Sequence, residues 1–264
     1  MKLSLIQIDA FASEVFSGNP AAVVPLDAWL SDEEMQNIAL ENQLSETAYI
    51  VAEPGEARRF QLRWFTPAVE VDLCGHATLA AAHALFSEFG IDGEAVVFST
   101  RSGDLEVVKA GTGYEMNFPV DSVAEAPELS ASVATALGCS VKSVWQGRED
   151  LMAVLDEEAS IRSLTPDFRL ISDIPVRGIL ATAIGDDCDF VSRCFFPRFG
   201  IDEDPVTGSA HTTMAPYWGK QLERSSLRAK QLSSRGGEVA CELLGDRVKL
   251  RGEAVTFLRG EVEI

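Results

Sequence analysis

The sequence predicts an α+β fold of two pseudo-symmetric halves, and three observations carry that prediction. Most of the chain reads as short strands with turn signals between them. Each half holds one long helix among its strands. The first, about Gly75 to Phe89, is apolar around nearly its whole circumference (Ala77, Leu79 to Ala82, Ala84 to Phe86), as expected of a helix enclosed by sheet. The halves also share a phrase. Arg63-Trp64-Phe65-Thr66-Pro67 returns as Arg193-Cys194-Phe195-Phe196-Pro197, and Gly75-His76-Ala77 returns as Gly208-Ser209-Ala210, in the same order with a slip of three residues. Each time a strand ends at proline, an acidic stretch follows and a glycine opens a helix, which is the signature of an internal repeat.

Taken in order, Met1 to Phe11 alternates apolar and polar residues as a strand does, and Ala21 to Pro25 is its partner across the turn Ser17-Gly18-Asn19-Pro20. Ser31, followed three residues on by Glu34, is a capping box with acids in the first turn, so a helix runs to about Leu44. Thr47 to Ala52 and Arg58 to Thr66 are strands. Ala95 to Ala110 is a hairpin turning at Ser102-Gly103-Asp104, and Tyr114 to Pro119 is a further strand. After the Gly75 helix, Gly90 is the expected C-cap. The acidic, loop-like stretch Val120 to Ser130 marks the boundary, giving domains 1–119 and 120–264, with the terminal strand, about 253–264, free to return to the first. The second half repeats the grammar: a helix near Leu129 to Leu137, four strands, a helix from about Gly208 and four closing strands.

Composition excludes several classes. The chain of 264 residues has 22 Lys and Arg against 41 Asp and Glu, a net charge of −19. A surface that acidic repels nucleic acid and anionic lipid, so neither is expected as a partner. Five scattered cysteines without a CxxC pair give neither a disulfide framework nor a structural zinc site, and no metal is expected. No apolar run approaches the roughly 20 residues of a membrane span, and the N-terminus reads as a strand and not a signal peptide, so a soluble, cytoplasmic protein is expected.

The repeat gives the two helix starts a purpose. Each supplies uncapped N–H groups and the positive end of a helix dipole, and two such ends facing a cleft between domains would hold a carboxylate. Acid–base groups cluster near both: Glu70, Asp72, Cys74 and His76 at the first, and Asp202, Glu203, Asp204, Thr207 and Ser209 at the second. Glu46, between Ser45 and Thr47 where a helix gives way to a strand, is a third candidate. His76 is either decoration of a core helix or a polar group aimed into a cavity. His83 and His211, inside their helices, read as packing or core hydrogen-bonding residues.

Five stretches in order, "DAFASEVFSGNPAAVV", "NQLSETAYIV", "DLCGHATLAAA", "GIDEDPVTGSAH" and "QLSSRGGEV", resemble the signatures of the PhzF-like proteins, relatives of diaminopimelate epimerase. The resemblance runs from about Asp9 to Gly252. It implies two diaminopimelate-epimerase-like domains, each a β-barrel-like roll around a central helix, a homodimer, and an active site between the domains. It also implies a cofactor-independent proton shift within a small carboxylate-bearing metabolite. Glu46 would be the general base, His76 and Asp204 would hold or relay protons, and Gly75, Gly208 and Ser209 would bind substrate. One departure separates this chain from the epimerases, which use two opposed cysteines: Cys74 precedes Gly75, but Thr207 precedes Gly208. That Cys/Thr pairing resembles the dehydratase branch of the proline racemase relatives and keeps a Cys74-based racemase or dehydratase open. A non-catalytic small-molecule binder is the other alternative.

Overall fold

The computed structural model describes residues 1–264. In chain order the elements are β1 (Lys2–Ala10), β2 (Asn19–Leu26), α1 (Asp32–Asn42), β3 (Glu46–Ala52), β4 (Arg59–Phe65), β5 (Glu70–Val71), α2 (Gly75–His83), β6 (Ala95–Thr100), β7 (Gly103–Ala110) and β8 (Gly113–Pro119). There follow β9 (Ala124–Glu125), α3 (Ser130–Leu137), β10 (Ser143–Gln146), β11 (Leu151–Val154), α4 (Glu158–Arg162), α5 (Phe168–Asp173), β12 (Ile179–Ile184), β13 (Phe190–Phe196) and β14 (Ile201–Asp204). The chain closes with α6 (Gly208–Leu222), β15 (Ser226–Gln231), β16 (Gly237–Leu244), β17 (Arg247–Gly252) and β18 (Ala254–Glu263). Two compact units result: Met1–Asn117 with Arg251–Ile264, and Phe118–Leu250.

The first unit is a mixed sheet. Strand β1 runs antiparallel to both β18 and β2, β2 is parallel to β3, and β3 is antiparallel to β4. Strand β4 takes short β5 antiparallel and β6 parallel, and β6, β7 and β8 form a meander. The second unit follows the same rule. Strand β10 is antiparallel to β9 and β11, β11 is parallel to β12, and β12 is antiparallel to β13. Strand β13 takes short β14 antiparallel and β15 parallel, and β15 pairs with β16. Helices α2 and α6 occupy the same place in this scheme, each following the short strand, so Gly75 and Gly208 open equivalent helices.

The shared phrase has a physical role. Arg63 lies on β4 with its guanidinium on the Glu70 carboxylate (2.6 and 2.8 Å) and over the Phe65 ring. Arg193 does the same on β13 with Glu203 (2.7 and 2.8 Å) and Phe195. A planar guanidinium can hold a carboxylate bidentately and stack on a ring at once, which lysine cannot.

Helix α2 packs against β1, β2, β3, β7 and β18. Its run of small and apolar residues follows, with Ala77, Leu79, Ala80, Ala81 and Ala82 fully buried. Beyond His83 the helix widens into a π-helical turn, Ala84–Glu88, closed by the Phe89 N–H on the Ala84 carbonyl, and Gly90 then takes a left-handed φ of 65°. The capping box at Ser31 forms as the sequence requires, and α1 ends at Asn42 with Gln43 left-handed. Helices α4 and α5 lie where the sequence gives no signal; at five and six residues they are too short to display a helical period.

Candidate active site

In the first unit, three backbone features bring polar side chains to one place. The parallel pair β2–β3 sets Ala21 opposite Glu46, so Asn19 and Glu46 stand at the same end of adjacent strands. Gly18 makes the entry into β2: its φ is +66°, and a Cβ there would lie 2.2 Å from the Ala10 carbonyl oxygen, so only glycine fits. The third feature is the start of α2. Cys74 is its N-cap residue in extended conformation, with no side chain capping the first turn, and His76 stands in that turn.

The resulting cluster is Glu46, His76, Asn19 and Cys74, all buried. Glu46 Oε2 lies 2.9 Å from His76 Nε2. It is nevertheless off hydrogen-bond geometry, and this buried oxygen has no hydrogen-bond partner. Asn19 Nδ2 lies 3.1 Å from His76 Nδ1, and Cys74 Sγ lies 3.5 Å from the same nitrogen. Asn19 can serve either state of the ring, since its amide NH₂ donates to a neutral imidazole and its oxygen accepts from a protonated one.

Electrostatics favour a protonated His76. Burial opposes an imidazolium at His76, but its contacts with Cys74 and Glu46 outweigh that cost and hold the pKa well above the usual histidine value. Burial, reinforced by Glu46, pushes the Cys74 thiol up to about 11. The thiol is therefore neutral at pH 7.

The second unit contains Asp204, Gly208 and Ser209. Asp204 ends β14, is buried, and accepts the Thr207 hydroxyl proton at 2.5 Å. Thr207, the N-cap of α6, is fixed on two further sides. Its N–H donates to Gln231 Oε1 (2.9 Å), and its carbonyl accepts from His211 Nδ1 (2.8 Å). Gln231 also donates to the Asp204 carbonyl (2.7 Å). Beside Ser209 lies an ion pair between half-buried Arg177 and buried Asp150: Arg177 Nε donates to Asp150 Oδ1 (2.9 Å), and Nη2 is 3.4 Å from Ser209 Oγ. Burial raises the Asp150 pKa against the opposing pull of Arg177.

The units differ at one decisive position. Register pairs Thr47 with Phe65 in the first and Ile179 with Phe195 in the second, so Glu46 corresponds to Gly178. A Cβ on Gly178 would meet Phe196 Cδ1 at 2.2 Å and the Phe195 carbonyl oxygen at 2.5 Å, so no side chain fits there.

The other histidines are structural. His83 bonds Tyr114 (3.1 Å) and Thr256 (3.0 Å), and His211 locks Thr207. Asn19, Asp150, Arg177 and Gln231 are the polar residues that sequence reasoning passed over. Asn19 and Gln231 lie inside the resembling stretches "SGNP" and "QLSSRGGEV", where a polar residue beside a glycine-rich turn was the available signal.

The family model for phenazine biosynthesis-like proteins matches residues 8–260. This chain belongs to the PhzF family. A curated relative in Pseudomonas aeruginosa, named an uncharacterized isomerase, is 48% identical over 264 residues, covering all of both chains. The human phenazine biosynthesis-like domain-containing protein is 36% identical over 284 residues, covering 98% of this chain and 99% of that protein. Among solved structures, a PhzF family protein of Enterococcus faecalis superposes with a TM-score of 0.95 at 44% identity, covering all of both chains. A hydroxyproline epimerase of Agrobacterium vitis shares the fold alone, with a TM-score of 0.64 at 11% identity over 99% of this chain and 92% of that one. No helix of this PhzF family member is long and apolar enough to cross a membrane.

Proposed function

We propose that this PhzF family member is a cofactor-independent isomerase that moves a proton between carbons of a small carboxylate-bearing metabolite, with Glu46 as general base. Relatives named isomerases across the full chain length support the reaction class. The observation that carries the assignment of the base is the state of Glu46: buried, 2.9 Å from a histidine, with one carboxylate oxygen free of any hydrogen bond. Carbon acids are weak, so the base that attacks one must be fixed and poorly solvated, with a lone pair uncommitted. His76 balances the charge and returns or relays the proton. Asp204 serves as a second proton-handling group, and Gly75, Gly208 and Ser209 bind the substrate through the uncapped starts of α2 and α6.

A Cys74-based reaction is less well supported. A thiol held near 11 by burial is a poor source of thiolate at pH 7, and the equivalent position in the second unit is Thr207.

The test is turnover of a metabolite panel in D₂O, with wild type and Glu46→Gln. Wild type should place deuterium on carbon in the product. Glu46→Gln keeps shape and polarity but removes the base, and turnover should fall by about 10²–10⁴ with substrate binding little changed. Turnover by Glu46→Gln within a few-fold of wild type would eliminate Glu46 as the base.

A further inference from the structure

Three metal-ligand atoms of different chemistry converge at the start of α2. One carboxylate oxygen of Glu46, one ring nitrogen of His76 and the Cys74 sulfur all lie within 4.8 Å of one another. Each residue is more than nine-tenths buried. The Glu46 Oε2 atom has no hydrogen-bond partner, and His76 Nε2 stands 2.9 Å from it and 4.0 Å from Cys74 Sγ. The thiol has no part in the proton shift proposed above.

We propose that Glu46, Cys74 and His76 form a capture site for a thiophilic divalent cation of the zinc type, and that its occupancy arrests the proton shift. Zinc takes thiolate at about 2.3 Å and imidazole or carboxylate at about 2.0–2.2 Å, so in a tetrahedron these ligand atoms stand roughly 3.3–3.6 Å apart. The 2.9 Å and 4.0 Å separations from His76 Nε2 bracket that range, and side-chain rotation closes the difference. Three protein ligands leave a fourth position for water or a substrate carboxylate oxygen. A sulfur ligand selects zinc over magnesium and calcium, which take oxygen. Entry of the ion into a site with protonated His76 releases two protons to solvent, one from the thiol and one from Nε2. The remaining Nδ1–H then donates to Asn19, whose amide oxygen turns to accept it. Glu46, coordinated, can no longer take a proton from carbon. That arrest rests on Glu46 being the base; the binding does not.

The probe is Co²⁺ titrated into the intact chain, followed by Zn²⁺. Cobalt should give a near-ultraviolet thiolate-to-metal band that stoichiometric zinc abolishes. Zinc should also raise the thermal midpoint, as a ligand bound to the native state does. Cys74→Ser should lose the band and bind zinc at least tenfold more weakly. Glu46→Gln should keep the band while weakening zinc, and Cys188→Ser should match wild type in both. Absence of a thiolate band, or zinc affinity unchanged in both Cys74→Ser and Glu46→Gln, would overturn the site and place the ion on surface carboxylates. Zinc bound with all these signatures while deuterium transfer continues undiminished would overturn the arrest and count against Glu46 as the base.

Discussion

Acidification from pH 7 to pH 5 should cost the fold about 2 kcal/mol through His211 alone. Its ring is fully buried, its Nδ1–H donates to the Thr207 carbonyl at 2.8 Å, and Nε2 faces the interior without a partner. A proton on Nε2 would leave a charge with no solvent and no counter-ion, and burial lowers the pKa from 6.5 to about 4. In the unfolded chain the same histidine titrates near 6.5. Between those values the unfolded state binds more protons than the folded one, so stability falls as pH falls. The loss is about 2 kcal/mol at pH 5 and approaches about 3 kcal/mol near pH 4, at about 1.4 kcal/mol per unit. With a urea slope of about 2 kcal/mol per molar, the midpoint should drop by about 1 M between pH 7 and pH 5. His211→Gln keeps a donor for Thr207 but cannot titrate. It should be less stable at pH 7 and lose the part of the slope due to this residue. His76 cannot imitate the effect. Its folded pKa is raised, so its contribution is fully present below about pH 6.5 and fades only as pH rises. Parallel midpoint–pH curves for wild type and His211→Gln would refute the assignment of a neutral, unpartnered His211.

With Glu46 as the proposed base, Cys74→Ser should retain most of its turnover; a folded Cys74→Ser protein with no activity would revive the thiol mechanism. Gly178→Ala should destabilise the second unit by about 1–3 kcal/mol, since the new methyl overlaps Phe196 and the Phe195 carbonyl; a midpoint unchanged in urea would show that this slot is open.

The repeat was readable because its signals are local. A strand ending at Arg-x-Phe-x-Pro, a short acidic strand and a glycine-opened helix survive as text, and the structure gives them the same pairing order twice. Ser31 with Glu34 was equally local. What could not be read was convergence. Nothing in the spelling of Asn19 and His76 says that two parallel strands and a helix start deliver them to within 3.1 Å. Asp150 and Arg177 are 27 positions apart and meet only because β11 and β12 are parallel neighbours. The π-helical end of α2 was also hidden, because its apolar side chains fit a wider turn as well as a tight one.

The last strand has a consequence for the order in which the protein is made. Strand β18 follows the whole second unit in the chain but pairs with β1 along nearly its full length, Lys2 opposite Glu263 and Ala10 opposite Ala254. Units usually fold in the order of synthesis, N-terminal first. Here the unit begun first is finished last. Residues 118–250 can complete their own sheet while β1 still shows one unpaired edge to solvent, the kind of edge that recruits other chains. The nascent chain therefore carries Glu46 and His76 in an unfinished unit until residues 254–263 emerge, and deletion within β18 should be felt first as aggregation.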